Sequence, residues 1–176
     1  MNKTKNMVVA ALMLALAYVL PNFTGNIPQI GSMLLPMHLP VLLCGFLCGG
    51  PWGAVVGFAA PLLRSVLIGM PPMFPTAISM AFELAAYGFV SGLLYQRLSK
   101  DLGGIYASLL GAMLSGRVVW GVVRALLTLA GNSSFTFSAF LAGAFTTAIP
   151  GIVLQLVAIP VIVVALQKAK LIPQTV

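Results

Sequence analysis

Four ionisable side chains interrupt the apolar stretches of the sequence: Arg64, Glu83, Arg117 and Arg124. Inside an apolar membrane helix an ionised group costs about 2.5 kcal/mol or more, so it faces protein or a water-filled cavity. Guanidinium groups donate in a fixed fork that suits carboxylates, phosphates and strongly polar heterocycles. The four residues therefore predict a polar pocket among helices, able to bind a small polar or anionic ligand.

Counting along the predicted helices places three of these residues at a similar depth. Arg64 and Arg124 lie about six residues from the outer ends of their helices, and Glu83 lies about nine residues from its outer start. At about 1.5 Å per residue, all three are roughly 9–14 Å below the outer surface and can share one outward-facing cavity. Arg117 lies about two turns deeper than Arg124 on the same helix face, and Trp120 between them offers a stacking surface.

Two arrangements of these charges are compatible with the sequence. In the first, Arg64 and Glu83 form a buried ion pair that positions helices, while Arg117 snorkels or bonds backbone carbonyls. In the second, Arg117 and Arg124 hold a ligand, and Glu83 either orients Arg64 or accepts a hydrogen bond from the ligand. The first arrangement leaves at least one deep arginine without a partner, because one glutamate cannot neutralise three guanidinium groups.

Other reactive residue types are sparse. His38, near the outer start of the second helix, is a candidate for ligand contact or for a capping or packing role. It has no further histidine or carboxylate partners in the pattern, so we expect no metal site and no cofactor. Cys44 and Cys48 are expected to be buried small hydrophobes. The sequence also lacks a phosphate-binding loop and a nucleophile elbow, so the chain is not predicted to be an enzyme.

Composition indicates the solvent in which these residues act. Of the 176 residues, 60% are hydrophobic and 6% are charged, whereas an ordinary globular domain is about 25% charged. So few charges cannot cover a water-facing surface, which excludes a soluble enzyme. The net charge of +7 is too scattered to form a basic stripe, so we expect no nucleic-acid partner. The expected environment is the lipid bilayer.

The elements that must position the candidate residues are apolar helices. Apolar stretches near the roughly 20 residues that a spanning helix needs predict an all-α integral membrane bundle of six transmembrane helices in a single domain, residues 1–176. Gly49-Gly50-Pro51 divides one long apolar run, since glycine ends helices and proline starts them. Residues 22–32 are either an outer lid that uses Phe23, Asn26 and Gln29 or a plain connector. The predicted spans are 7–20, 33–49, 52–69, 74–96, 103–130 and 139–166.

The loop cations predict the orientation of the bundle. Positively charged loops stay on the cytoplasmic side of a membrane. With six spans and both termini in the cytoplasm, the predicted outer loops carry no charge. The predicted cytoplasmic segments then contain Lys3, Lys5, Arg97, Lys100, Lys168 and Lys170. We therefore expect a multi-pass protein of the bacterial plasma membrane.

Two consecutive segments carry a resemblance to a known family. The run MHLPVLLCGF at residues 37–46 and the run GGPWGAVVGF at residues 49–58 resemble the helix 2–3 hairpin of S components, the substrate-binding subunits of energy-coupling factor (ECF) transporters. The chain length, six spans, cytoplasmic termini and long first outer loop are similar to that family as well. An Ala11-x-x-x-Ala15 pair on the first helix also fits, so the resemblance covers nearly the whole chain.

The resemblance implies a high-affinity receptor for a vitamin or other micronutrient. Its partners would be a membrane coupling protein, which Ala11 and Ala15 would contact, and two cytosolic ATPase subunits. Ligand would be captured from outside beneath the first loop and released inward after the subunit reorients in the membrane. Pantothenate-like vitamins, B6-like vitamins and modified nucleobases are all compatible with the pocket, which comes from the burial argument and not from a family motif.

Two other functions are compatible with the residues alone. One is a six-helix membrane scaffold or assembly protein whose arginines pair with lipid phosphates or with a partner. The other is an intramembrane enzyme, for which one glutamate and one histidine provide little acid–base material. Saturable binding of a vitamin distinguishes the receptor from both.

Overall fold

Helices account for the regular structure of the chain. The structure, a computed structural model, describes residues 3–24, 33–130 and 136–170. A 3-10 turn, Leu20–Thr24, extends the first helix, and wider turns form at Met73–Ala77 and Ala142–Thr146. In these ranges the predicted all-α class is confirmed. The helices are α1 (Lys3–Val19), α2 (His38–Cys48), α3 (Gly50–Ile68), α4 (Ile78–Arg97), α5 (Leu102–Ala130), α6 (Phe137–Leu141) and α7 (Ile149–Lys168).

Five helical segments in the described ranges are long and apolar enough to cross a membrane. Helix α2, with 11 residues, rises only about 16 Å. The side chains of Val66, Val118 and Val161 are 70%, 61% and 63% exposed, as expected where a helix faces lipid. The five segments are Lys3–Phe23, Gly50–Ile68, Met73–Arg97, Leu102–Leu129 and Ile149–Lys168.

The second predicted span is not one continuous helix. Residues 33–34 are helical, but Leu35 has a φ of +50° and the regular helix begins only at His38. Pro36 explains the break, because proline disfavours the right-handed helical conformation in the residue before it. The interruption places His38 in the first turn of α2.

The last predicted span, 139–166, is also divided. Helix α6 ends at Leu141, a wider turn covers Ala142–Thr146, and α7 starts at Ile149. Pro150 occupies the first turn of α7, where its missing N–H leaves no intrahelical bond unmade and its fixed φ suits a helix start. The chain therefore bends before the helix that carries Gln155.

Helices α2, α3 and α4 pack with their backbones nearly in contact at Gly45, Gly53, Gly88 and Gly92, which we name the glycine seam. A Cβ atom added to Gly53 would overlap the carbonyl group of Gly88, and one added to Gly88 would overlap that of Gly53. The hydroxyl of Ser91 fills the space beside Gly45 and donates to the carbonyl oxygen of Gly88 at 3.2 Å. Close backbone approach at small residues is how helices associate in lipid.

Candidate functional site

Side chains from α2, α4 and α5 meet in a buried charged group, Glu83, Arg117 and His38, which we name the Glu83 cluster. Nη1 of Arg117 donates to Oε1 of Glu83 at 2.8 Å, and Nε2 of His38 lies 3.5 Å from the same oxygen. The three residues are 2%, 5% and 1% exposed, in the order Glu83, Arg117, His38. All three side chains of the cluster are therefore enclosed by protein.

Neighbouring residues fix the geometry of this cluster. Gly116 lets α5 approach α4, because a Cβ atom there would lie 3.2 Å from the backbone oxygen of Glu83 and would overlap the ring of Tyr87. Tyr87 lies one turn after Glu83 on the same face of α4. Its ring packs edge-on against His38, with 5.0 Å between the ring centroids. Packing from three helices thus holds the charged groups in register.

Stability alone does not explain the ion pair between Glu83 and Arg117. Well-packed apolar residues often stabilise a protein as much as a buried ion pair does, whereas loss of one partner costs about 3–5 kcal/mol. The pair carries balanced charge, so it can remain in an apolar bundle without a counterion. A polar ligand would give such a pair a function beyond positioning the helices.

Several polar atoms in and beside the cluster are buried without a partner. Nε and Nη2 of Arg117, Nδ1 of His38 and the hydroxyl of Tyr87 are buried and have no hydrogen-bond partner among the described residues. An unsatisfied buried donor or acceptor costs about 1–3 kcal/mol. The group therefore offers more donors than its described surroundings accept, as a binding site for a polar molecule would.

Arg64 does not join this cluster, so of the two arrangements that the sequence left open, the one that pairs Arg64 with Glu83 is not the one observed. Nη1 of Arg64 donates to the backbone oxygen of Tyr18 at 2.7 Å and to Oδ1 of Asn22 at 3.0 Å. The guanidinium also lies over the Tyr18 ring, 6.0 Å from its centroid. Arg64 is 3% exposed, and it ties α3 to the end of α1. The physical reason is that rotation of α3 about its axis, which depth counting does not determine, directs Arg64 toward α1.

Arg124 and Trp120 lie farther along α5 than Arg117. Nη1 of Arg124 donates to the hydroxyl of Thr76 at 3.1 Å, in the turn before α4. The indole of Trp120 stacks on Phe140 of α6 with 6.1 Å between ring centroids. Seven residues separate Arg117 from Arg124, about 10 Å along the helix. Arg124 and Trp120 therefore border the cluster on one side without belonging to it.

The first outer loop is only partly within the described residues. Phe23, at the end of the 3-10 turn that follows α1, is 82% exposed. The other two residues of the predicted lid, Asn26 and Gln29, lie outside the described ranges. The lid remains a prediction.

Two buried polar residues were missed by the sequence reasoning, Tyr87 and Gln155. Both are 0% exposed, and both amide atoms of Gln155 have no hydrogen-bond partner in the part of the chain that the structure describes. Signals for them existed. Tyr87 follows Glu83 at helical spacing, and Gln155 is the sole polar side chain in the sequence between Thr147 and Gln167. Neither side chain is ionised at neutral pH, so a pattern of charges does not include them.

The two residues predicted to contact the coupling protein lie on the face of α1 that points away from the bundle. Ala11 and Ala15 are exposed, while Ala10, Met13 and Ala17 of the same helix are buried against the bundle. An exposed pair of small residues one turn apart permits close approach of another helix. The role of this face stays a prediction.

The described ranges contain no group of three or more His, Cys, Asp or Glu side chains that could hold a metal ion. Cys44 and Cys48 are buried free thiols. The Glu83 cluster itself offers ion pairing and hydrogen bonding, with the aromatic rings of Tyr87 and Trp120 nearby.

Comparison with known proteins identifies the family. A family model described as ECF transporter, substrate-specific component, matches residues 5–163, which include the whole Glu83 cluster. No curated protein and no solved structure matches the chain. Members of the matched family are integral membrane proteins that bind a small-molecule substrate and associate with an ECF module; they are transporter components and not enzymes. With its several apolar helices long enough to cross a membrane, this multi-pass cell-membrane protein belongs to the family of substrate-specific components of ECF transporters.

Proposed function

We propose that this chain captures a vitamin or similar micronutrient from outside the cell and delivers it through an ATP-driven ECF module. The observation that carries the proposal is the Glu83 cluster, a buried ion pair with unused donors at the meeting of three helices. Its ligand is a small polar molecule, with pantothenate-like or B6-like vitamins and modified nucleobases as the first compounds to test.

The proposed topology has six spans with both termini in the cytoplasm. The distribution of cations supports it, because the loop cations lie at the start of α1, from the end of α4 to the start of α5, and from the end of α7 onward. In this orientation the first turn of α2, with His38, lies on the outer side. The Glu83 cluster is then reached from outside, beneath the loop that contains Phe23.

Arg64 and Arg124 have supporting roles in this proposal. Arg64 binds the end of α1 and the turn that leads into the outer loop, so it fixes the base of the proposed lid. Arg124 binds Thr76 in the turn that leads into α4, next to the helix that carries Glu83. Each arginine thus holds a connecting segment at the proposed outer rim of the site.

The exposed face of α1 is the proposed contact with the membrane coupling protein of the ECF module, which also contains two cytosolic ATPases. Its support is the exposure of Ala11 and Ala15 on a helix whose other face is buried. Replacing both by leucine should abolish co-purification with the coupling protein while ligand binding is retained. Co-purification at the wild-type level would remove this surface from the proposal.

The function is tested by calorimetric titration of the purified protein with pantothenate, pyridoxine, riboflavin and queuine. We expect saturable binding of at least one compound. The Glu83→Gln/Arg117→Met double variant, which removes both charges of the ion pair, should bind it about tenfold to 100-fold more weakly, the worth of a lost charge-assisted hydrogen bond.

The matched control is Arg97→Gln, which removes an exposed arginine at the end of α4 and should bind as the wild type does. Equal affinity of the double variant and the wild type would contradict the proposed site. Absence of binding across the compounds, together with absence of uptake in cells, would favour a scaffold function.

A further inference from the structure

Gln155 is the most unusual polar residue outside the Glu83 cluster. It lies in the middle of an apolar helix, is 0% exposed, and neither Nε2 nor Oε1 has a hydrogen-bond partner among the described residues. A glutamine amide offers two donor hydrogens and one acceptor oxygen. Since an unsatisfied buried polar group is destabilising, leucine or isoleucine at this position would give a more stable ligand-free protein.

Packing around α7 places Gln155 on the face of that helix that is buried in the bundle. Gly151, one turn earlier, lies against the segment before α2, since a Cβ atom there would be 2.6 Å from the backbone oxygen of Met33 and 2.9 Å from that of Leu34. Gln155 shares this helix face with Gly151 and the buried Ile159. Helix α7 contacts both α2 and α5, the helices that carry His38 and Arg117.

The hydrogen-bonding groups without partners on these helices favour a ligand that offers both an acceptor and a donor. Nε and Nη2 of Arg117 and Nε2 of Gln155 need acceptors, whereas Oε1 of Gln155 needs a donor. The hydroxyl of Tyr87 can do either. A carboxylate or phosphate supplies acceptors only. The Glu83–Arg117 pair is already balanced, so an added anion would be a buried net charge.

We infer that Gln155, with Tyr87 and Arg117, forms a subsite for an uncharged head group that carries a carbonyl and an N–H together, as a lactam or primary carboxamide does. The carbonyl accepts from Arg117 and from Nε2 of Gln155, and the N–H donates to Oε1 of Gln155. This assignment rests on the proposed function and narrows it, because it disfavours the anionic ligands that the three arginines suggested.

The first test uses two pairs of probes that differ by one carboxylate: nicotinamide with nicotinate, and uracil with orotate. We expect the uncharged member of at least one pair to bind at least about tenfold more tightly than its acidic partner. Gln155→Leu should remove that binding. Equal or tighter binding of the acidic members would overturn the inference.

The second test needs no ligand. If Gln155 is unpaired in the ligand-free protein, Gln155→Leu should raise the melting temperature, by about 2–4 °C. The matched control is Gln167→Leu in the same helix, where Nε2 donates to the hydroxyl of Tyr95 at 2.8 Å and to the backbone oxygen of Lys100 at 2.9 Å. That control should lower the melting temperature and leave probe binding unchanged.

A fall in melting temperature for Gln155→Leu, like that for Gln167→Leu, would show that buried water or another group satisfies the amide, and would overturn the inference. If none of the four probes and none of the vitamin compounds binds, the result would instead count against the proposed function. The comparison of melting temperatures would still decide whether the Gln155 amide has a hydrogen-bond partner in the ligand-free protein.

Discussion

The glycine seam and the Glu83 cluster share two helices, α2 and α4, yet they are built in opposite ways. In the seam, Gly53 and Gly88 bring backbones together until no side-chain atom fits, and the Ser91 hydroxyl is hydrogen-bonded. One to two turns away, polar atoms of His38, Tyr87 and Arg117 are buried without a hydrogen-bond partner among the described residues. The difference shows that α2 and α4 pack tightly at one end of their contact, whereas at the other end buried donors and acceptors have no partner among the described residues.

The largest effect should come from breaking the seam. Gly88→Ala places a Cβ atom into the Gly53 backbone, so we expect a loss of about 3 kcal/mol or more, the upper end of the usual overpacking range. The yield of monodisperse protein and its melting temperature measure the loss.

The matched control for the seam is Gly103→Ala, in α5. A Cβ atom there meets its nearest neighbour, Oδ2 of Asp101, at 3.4 Å, and alanine favours a helix over glycine by about 1 kcal/mol. It should melt at or above the wild-type temperature. Equal tolerance of both substitutions would show that the seam is not tightly packed.

Breaking the Glu83 cluster should cost less if both charges are removed together. Glu83→Gln leaves Arg117 without its carboxylate, and we expect a loss of about 3 kcal/mol. Adding Arg117→Met should recover most of that stability, because no unpaired charge remains in the cluster, yet ligand binding should not return. A double variant that is less stable than Glu83→Gln alone would contradict the expected recovery and show that Arg117 contributes to packing beyond its ion pair.

A smaller and local effect is expected at the link between α3 and α1. Arg64→Met removes the bonds to Tyr18 and Asn22, worth about 1.5–3 kcal/mol for a charged donor. Hydrogen exchange should therefore increase near residues 18–22, while the glycine seam stays protected. Uniformly faster exchange in all helices would contradict a local role.

The smallest effect is expected at the start of α5, outside both regions. The Ser99 hydroxyl and the N–H of Gly104 donate to Asp101 and hold the pKa of its carboxyl below the ordinary value. The carboxylate therefore adds stability at pH values above its unfolded pKa of about 3.9, and this is lost as the pH falls through the lower folded pKa.

Asp101→Asn keeps a helix-capping side chain but lacks the charge. Its melting temperature should be slightly below wild type near neutral pH, and the difference should vanish as the pH falls through the lowered folded pKa of Asp101. A difference that is constant across this pH range would assign the effect to side-chain shape.

The sequence was sufficient for the fold class and for the short list of charged residues. Apolar stretches between cations indicate helices in lipid, and Arg64, Glu83 and Arg117 are all buried as expected. It was not sufficient for the pairing. Residue counting gives depth along each helix to about one turn, whereas pairing depends on the rotation of each helix about its own axis, which the tertiary packing sets.

The start of α2 and the burial of Gln155 could not be predicted from hydropathy and charge. The start of α2 at His38 depends on a local break at Leu35 and Pro36, which hydropathy does not register. Gln155 carries no charge, so a search for ionised groups passes over it, although a lone amide in an apolar helix is also costly to bury. An uncharged polar residue in an apolar helix is therefore a signal of the same kind as a charge.

The central claim is that the Glu83 cluster binds the transported molecule. The most direct measurement is a crystal structure of the protein with whichever compound binds it most tightly. The account predicts ligand density within hydrogen-bonding distance of Arg117, with Tyr87 beside it. Tight binding with ligand density elsewhere in the bundle, and the Glu83 cluster unchanged, would contradict it.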